Sequence, residues 1–188
     1  MQNDIKNALE VLRSGGVILY PTDTIWGLGC DATNHEAVKK IFNIKKRIDN
    51  KSVIVLMDNV NRLSIYVEDV PEAAYDLIEL SEKPLTVILE GAKSLAYNVI
   101  NRKDNSVGVR VVNDKFCQQL IQRFKKPIVS TSANISGKIS PVCFNEIDNN
   151  IIEQVDYVVE YRQDDISKAK PSGIIKINRD STIKIIRK

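Results

Sequence analysis

Short, uninterrupted runs of β-branched and aliphatic residues recur along this chain, and between them lie stretches whose apolar positions fall at helical spacing. The run Ser52-Val-Ile-Val-Leu-Met57 has no polar alternation, the pattern of a strand covered on both faces. Gly16 to Tyr20, Leu85 to Leu89, Ser106 to Val112 and Pro127 to Ser130 read as further strands, as do Val155 to Val159, Gly173 to Ile177 and Thr182 to Ile186. Asn3 is a candidate cap for a helix that turns Ile5, Ala8, Leu9 and Leu12 inward and stops before Gly15-Gly16. Asn34 caps a second helix carrying Ala37, Val38 and Ile41, and Pro71 opens a third that reaches Leu80. Helices are also expected over Lys115 to Phe124 and Phe144 to Ile152. Strands alternating with helices predict an α/β layer structure, with a mixed sheet because the last strand candidates lie close together in sequence.

A length of 188 residues fits one domain, residues 1–188, with a core that needs no disulfide or metal staple. Hydrophobic residues at 43% and charged residues at 27% match neither a disordered nor a membrane protein. No apolar run reaches about 18 residues, and the N-terminus lacks the charged-then-apolar plan of a secretory signal, so a cytoplasmic location and no membrane contact are expected. Cys30, Cys117 and Cys143 are odd in number and widely spaced, as reduced thiols are. The net charge of +3 does not by itself imply nucleic-acid binding.

Three polar constellations stand out. In Tyr20-Pro-Thr-Asp-Thr-Ile-Trp-Gly-Leu-Gly29, Pro21 directs the chain out of a strand and presents Thr22, Asp23 and Thr24 in a row. Gly27 and Gly29 there permit positive φ or close approach by a ligand or another segment, although a plain Asx or Ser/Thr turn would also account for the stretch. Lys45-Lys46-Arg47 sets two cations near a helix end, either for the helix dipole or as a phosphate clamp. Thr131-Ser-Ala-Asn-Ile-Ser-Gly137 follows a strand and can wrap a phosphate or ribose, or be a polar turn. Arg110, inside an apolar strand, requires an internal carboxylate or an anionic ligand, because an unpaired buried charge is costly.

Tyr20 to Leu28, Lys45-x-Arg47, Val109-Arg110-Val111 and Ser130-Thr-Ser-Ala-Asn-Ile-Ser-Gly137 occur in the order and spacing of the Sua/YciO/YrdC family, which the chain resembles over about residues 5 to 178. The resemblance implies one α/β domain with a twisted mixed sheet, largely parallel with antiparallel strands, and flanking helices around a large, open, positively lined cavity. It implies synthesis of threonylcarbamoyl-AMP and pyrophosphate from L-threonine, bicarbonate and ATP. Other proteins would then transfer the threonylcarbamoyl group to tRNA. By the same resemblance Lys45 and Arg47 contact phosphates and are catalytic, while Ser132, Asn134 and Ser172 help hold the nucleotide. Thr22, Thr24 and Thr131 belong to the threonine pocket, and Arg110 meets the threonine carboxylate. Magnesium would enter with ATP, without protein ligands.

The chemistry agrees, since attack on an α-phosphate needs positioning and cations rather than a protein nucleophile. His35, the single histidine, sits at a helix start and offers no Ser-His-Asp arrangement. Alanine at Lys45 or Arg47 is expected to spare the fold and slow turnover about tenfold or more. The chain departs from the family pattern at Trp26, Ile48, Ser52, Val112 and Gly173. Those changes leave room for a YciO-like branch. An RNA-binding module with the same cations is the reading of a different class, with weak RNA binding possible in either case.

Overall fold

The first apolar period becomes helix α1, Gln2–Arg13, which buries Ile5, Ala8, Leu9 and Leu12. Met1, not Asn3, is its N-cap. The reason is electrostatic: the Asp4 carboxylate lies in the first turn and pairs with the terminal amino group at 3.1 Å. This computed structural model describes residues 1–46, 53–167 and 170–188.

Strand β1, Ile18–Tyr20, turns through residues 21–26 into β2, Gly27–Asp31, a strand where the sequence suggested a glycine loop. Neither glycine has positive φ. Tyr20 supplies the reason: a Cβ on Gly29 would lie 2.6 Å from its ring, so the glycines make room for the ring across β2. Helix α2, His35–Ile44, follows with Asn34 accepting the N–H groups of Glu36 and Ala37 as cap. Then come β3, Ile54–Met57, the short α3, Leu63–Tyr66, and α4, Glu72–Glu79. Strands β4, Leu85–Glu90, and β5, Ser106–Val111, precede α5, Lys115–Phe124, capped by Asp114. Strand β6, Ile128–Ser132, carries Thr131 and Ser132 inside the sheet rather than in a loop, because they pair with Leu28 and Gly27. The helix expected over Phe144 to Ile152 is broken into a 3-10 turn and α6, Asn149–Ile152. The chain ends in β7, Tyr157–Val158, β8, Gly173–Ile177, and β9, Ile183–Arg187.

These strands form one mixed sheet in the order β7-β1-β2-β6-β3-β5-β4-β8-β9. Antiparallel pairings outnumber parallel ones among the described strands, which corrects the expectation of a largely parallel sheet. The hairpins at β1-β2 and β8-β9 supply the difference, since short connections permit only antiparallel neighbours.

Alternation along the strands divides the core in two. Leu19, Leu28, Val55, Val87, Val109 and Val129 point to the larger core, which includes Ala37, Val38 and Ile41 of α2. Ile18, Tyr20, Leu56 and Ile128 point to the other face, under α1 and α5. Those two helices cover only part of that face. Leu56 pairs with Arg110, Thr86 pairs with Ile174, and Ile174 with Arg187, so a row of side chains continues past α5 across β5, β4, β8 and β9. That stretch carries cavities instead of a helix.

Candidate functional site

The turn between β1 and β2 is held by its own hydroxyls. Thr22 Oγ1 accepts the Thr24 N–H at 3.0 Å and donates to the Ile25 carbonyl at 2.9 Å. Its proton is therefore committed, so the 2.9 Å contact with Thr24 Oγ1 has Thr24 as donor. Thr24 Oγ1 in turn accepts from Arg110 Nη1 at 3.0 Å. The chain Arg110 to Thr24 to Thr22 to Ile25 has one direction throughout. Thr22 is thus a buried staple of the turn, while Thr24 reaches a cavity that Arg110 also lines.

Arg110 is 2% exposed in the interior of the sheet. Asp23 is its internal counterion, with Oδ1 3.2 Å from Nη2, and Asp23 Oδ2 also accepts the Asn113 N–H at 3.2 Å. Asp23 therefore ties the turn to the end of β5 through a backbone N–H and also neutralises the arginine. Arg110 Nε is buried and has no acceptor among the described residues, while the side chain as a whole lines the cavity.

The second motif lies beside the first, since Ser132 pairs with Gly27 and the Ala133 N–H donates to the Trp26 carbonyl at 3.2 Å. Ser132 Oγ donates to Asn134 Oδ1, and Asn134 Nδ2 donates to the carbonyls of Ile135 at 3.0 Å and Lys138 at 2.7 Å. Lys45, only 4% exposed, slides beneath this loop. Its ammonium donates to the carbonyls of Ser132 and Asn134 and approaches Asn134 Oδ1 at 3.4 Å. The Ser136 N–H returns a bond to the Lys45 carbonyl at 2.9 Å. The expected phosphate ligand is thus placed under the Ser-x-Asn loop rather than on the cavity wall. Arg47 lies outside the described residues.

Both motifs border a cavity of about 170 Å³ whose lining includes Thr24, Trp26, Arg110, Thr131, Ser132 and Ser172. Through Val53, Ile54 and Ile174 it continues into a second hollow of about 250 Å³, which reaches Thr86, Ser106, Gly108 and Lys176. Taken together they fall at the lower end of the range of ordinary small-molecule sites, roughly 300–1,000 Å³. Ser172 sits at their junction, its hydroxyl 2.8 Å from that of Thr86.

Two lining residues had not been singled out. Ser140 follows the Ser-x-Asn loop, and Arg187 comes from the last strand. Arg187 Nε donates to the Ser172 carbonyl at 2.9 Å. Burial, and then the like charge of Arg110, lowers the Arg187 guanidinium from its ordinary value. An anion placed between the two arginines would relieve both effects. In the sequence Arg187 is one cation in an alternating, exposed strand, and only its register opposite Ile174 brings it here.

The model of the Sua5/YciO/YrdC family, described as "Telomere recombination", matches residues 10–188. A threonylcarbamoyl-AMP synthase of Pseudoalteromonas translucida is 36% identical over 162 residues, which are 85% of this chain and 86% of that protein. A putative threonylcarbamoyl-AMP synthase of Methanocaldococcus jannaschii is 35% identical over 98% of this chain and 87% of its own length. Among solved structures, P. abyssi Sua5 complexed with L-threonine superposes with a TM-score of 0.81 at 26% identity over 92% of this chain. This chain spans 50% of that Sua5 chain. E. coli YciO superposes with a TM-score of 0.86 at 28% identity over 100% of this chain and 90% of its own. No helix among the described residues is long and apolar enough to cross a membrane.

Proposed function

This chain belongs to the Sua5/YciO/YrdC family, and we propose that it is a nucleotidyltransferase that makes threonylcarbamoyl-AMP and pyrophosphate from L-threonine, bicarbonate and ATP. The observation that carries this reading is the convergence of Thr24, Arg110, Thr131, Ser132, Ser172 and Arg187 on one cavity.

Chemically, the threonine amine and bicarbonate form a carbamate and release water. A carbamate oxygen then attacks the α-phosphate of ATP, and the bond to the β-phosphate breaks to release pyrophosphate. The protein has to bring two anions together and accommodate the charge that spreads over phosphate oxygens. Arg110, a cation in the cavity wall, receives the threonine carboxylate, while Thr24 and Thr131 line the same cavity. Ser132, Asn134 and Ser172 hold the nucleotide, and Arg187 adds a cation beside it. Lys45 holds the Ser-x-Asn loop in shape and brings a positive charge beneath it. Arg47 completes the Lys-x-Arg pair toward the phosphates.

Among the described residues no three His, Cys, Asp or Glu side chains gather to hold a metal ion. We place magnesium on ATP, where phosphate oxygens and water serve as its ligands. The product is an activated acyl phosphate, so proteins that transfer the threonylcarbamoyl group to tRNA are its consumers, in the cytoplasm.

The test is to incubate purified protein with ATP, bicarbonate and magnesium, with threonine or serine, and to measure pyrophosphate. Threonine-dependent release is expected, with serine a poorer substrate. No pyrophosphate together with tight tRNA binding would replace the synthase with an RNA-binding module. No pyrophosphate and no tRNA binding would favour a YciO-like role, for which the close superposition on E. coli YciO is the supporting observation.

A further inference from the structure

The turn formed by residues 21–26 is anchored in the core at one end, where Trp26 is buried against Phe144 with ring centroids 4.9 Å apart, but its middle stands between two hollows. The cavity lined by Arg110 and Ser132 lies on one side. On the other is a hollow of about 150 Å³ lined by Thr22, Asp23, Arg162 and Asp165 among others, and both hollows reach Thr24 and Trp26. With space on both sides, Thr22, Asp23 and Thr24 depend on directional bonds as well as on that packing.

Arg162 makes one of them. Its Nη2 donates to the Thr22 carbonyl at 2.8 Å, and its Nη1 lies 3.1 Å from Asp114 Oδ2. Asp114 Oδ1 meanwhile accepts the Cys117 N–H at 2.9 Å as the cap of α5, so the arginine joins the turn to a helix end. The segment that carries Arg162 is itself anchored, because the Glu160 N–H donates to the buried Asp4 carboxylate at 2.8 Å. The Tyr161 ring, stacked on Phe116 with centroids 6.0 Å apart, lies under the guanidinium. The Arg162 backbone is left-handed, with φ of 66°, a conformation that favours glycine.

We propose that Arg162 is a positioning residue for the threonine pocket. By holding the Thr22 carbonyl it fixes the turn that presents Thr24 and Asp23 to Arg110. This rests on the proposed synthase reading for the identity of the ligand, but not for the brace itself.

The test compares Arg162→Gly and Arg162→Lys with wild type. Glycine accepts the left-handed backbone, so its loss of the guanidinium is not compounded by added backbone strain. In Arg162→Gly the KM for threonine should rise about tenfold, with kcat and the KM for ATP within about threefold of wild type. Amide hydrogen exchange at residues 23–27 should accelerate by a similar factor, and by more than the modest fall in melting temperature from unpairing Asp114 and the Thr22 carbonyl accelerates exchange in the core strands. Lysine, which can still donate to the Thr22 carbonyl, should restore most of the threonine KM. An unchanged KM for threonine, or unchanged exchange in the turn, overturns the proposal. If wild type releases no pyrophosphate, the synthase reading falls and exchange alone decides the brace.

Discussion

Arg110 shows how one side chain can satisfy two readings of a sequence. An internal ion pair and an anionic ligand were the two explanations for an arginine in an apolar strand, and the structure supplies the first while setting the guanidinium in the wall of the cavity where the second would bind. Both partners are nearly enclosed, with side chains 3% and 9% exposed. Arg110→Met should therefore cost about 3–5 kcal/mol by stranding Asp23, in addition to raising the KM for threonine. Adding Asp23→Asn should recover part of the stability and none of the affinity, as a double-mutant cycle of denaturant midpoints and KM values would show. Strictly additive stability losses would mean that the pair is not coupled. Lys45 requires a revision. Alanine there was expected to spare the fold, but the ammonium holds two loop carbonyls in a nearly buried position. Lys45→Ala should lower stability by about 1–3 kcal/mol while weakening ATP binding, since the carbonyls lose their donor. A melting temperature equal to wild type would restore the simpler phosphate-contact reading.

At the scale of elements, the legible ones are those whose signals are local. Helix α5 matches its expected span because an apolar period and a capping Asp114 coincide, and β8 does so between Ser172 and Asn178. Strand β2 was not legible. Two glycines in five residues argue against a strand by propensity, and the segment becomes one only because β1 and β6 flank it and Tyr20 fills the space above it. Gly29→Ala tests this account. Its Cβ would meet the Tyr20 ring at 2.6 Å, Ile128 Cγ2 at 3.0 Å and the Val129 carbonyl at 3.1 Å. Tyr20 is fully buried and cannot withdraw without repacking, so a loss of about 1–3 kcal/mol is expected in denaturant unfolding. An unchanged midpoint would show that the ring moves freely.

For the whole molecule, burial separates the three thiols. Cys30 and Cys117 are buried, and burial pushes both thiols up from their ordinary value, whereas Cys143 is half-buried. A thiol reagent at neutral pH should label Cys143 in the native protein and reach Cys30 and Cys117 only on unfolding; rapid native labelling of Cys117 would mean that α5 and the turn above it open readily. The alternation of strands and helices, the motif residues and the need of Arg110 for an anion were determined by the sequence alone. Periodicity, turn chemistry and the cost of a buried charge act over a few residues and are visible in one dimension. Only the tertiary structure decided that Lys45 lies under Ser132 and Asn134, that Asp23 faces Arg110, and that Arg187 turns into the same cavity. Those meetings depend on the order β2-β6-β3-β5-β4-β8-β9 and on register between distant segments. A slip of one residue would send Arg110, Ser132 and Arg187, which sit on strands, to the opposite face.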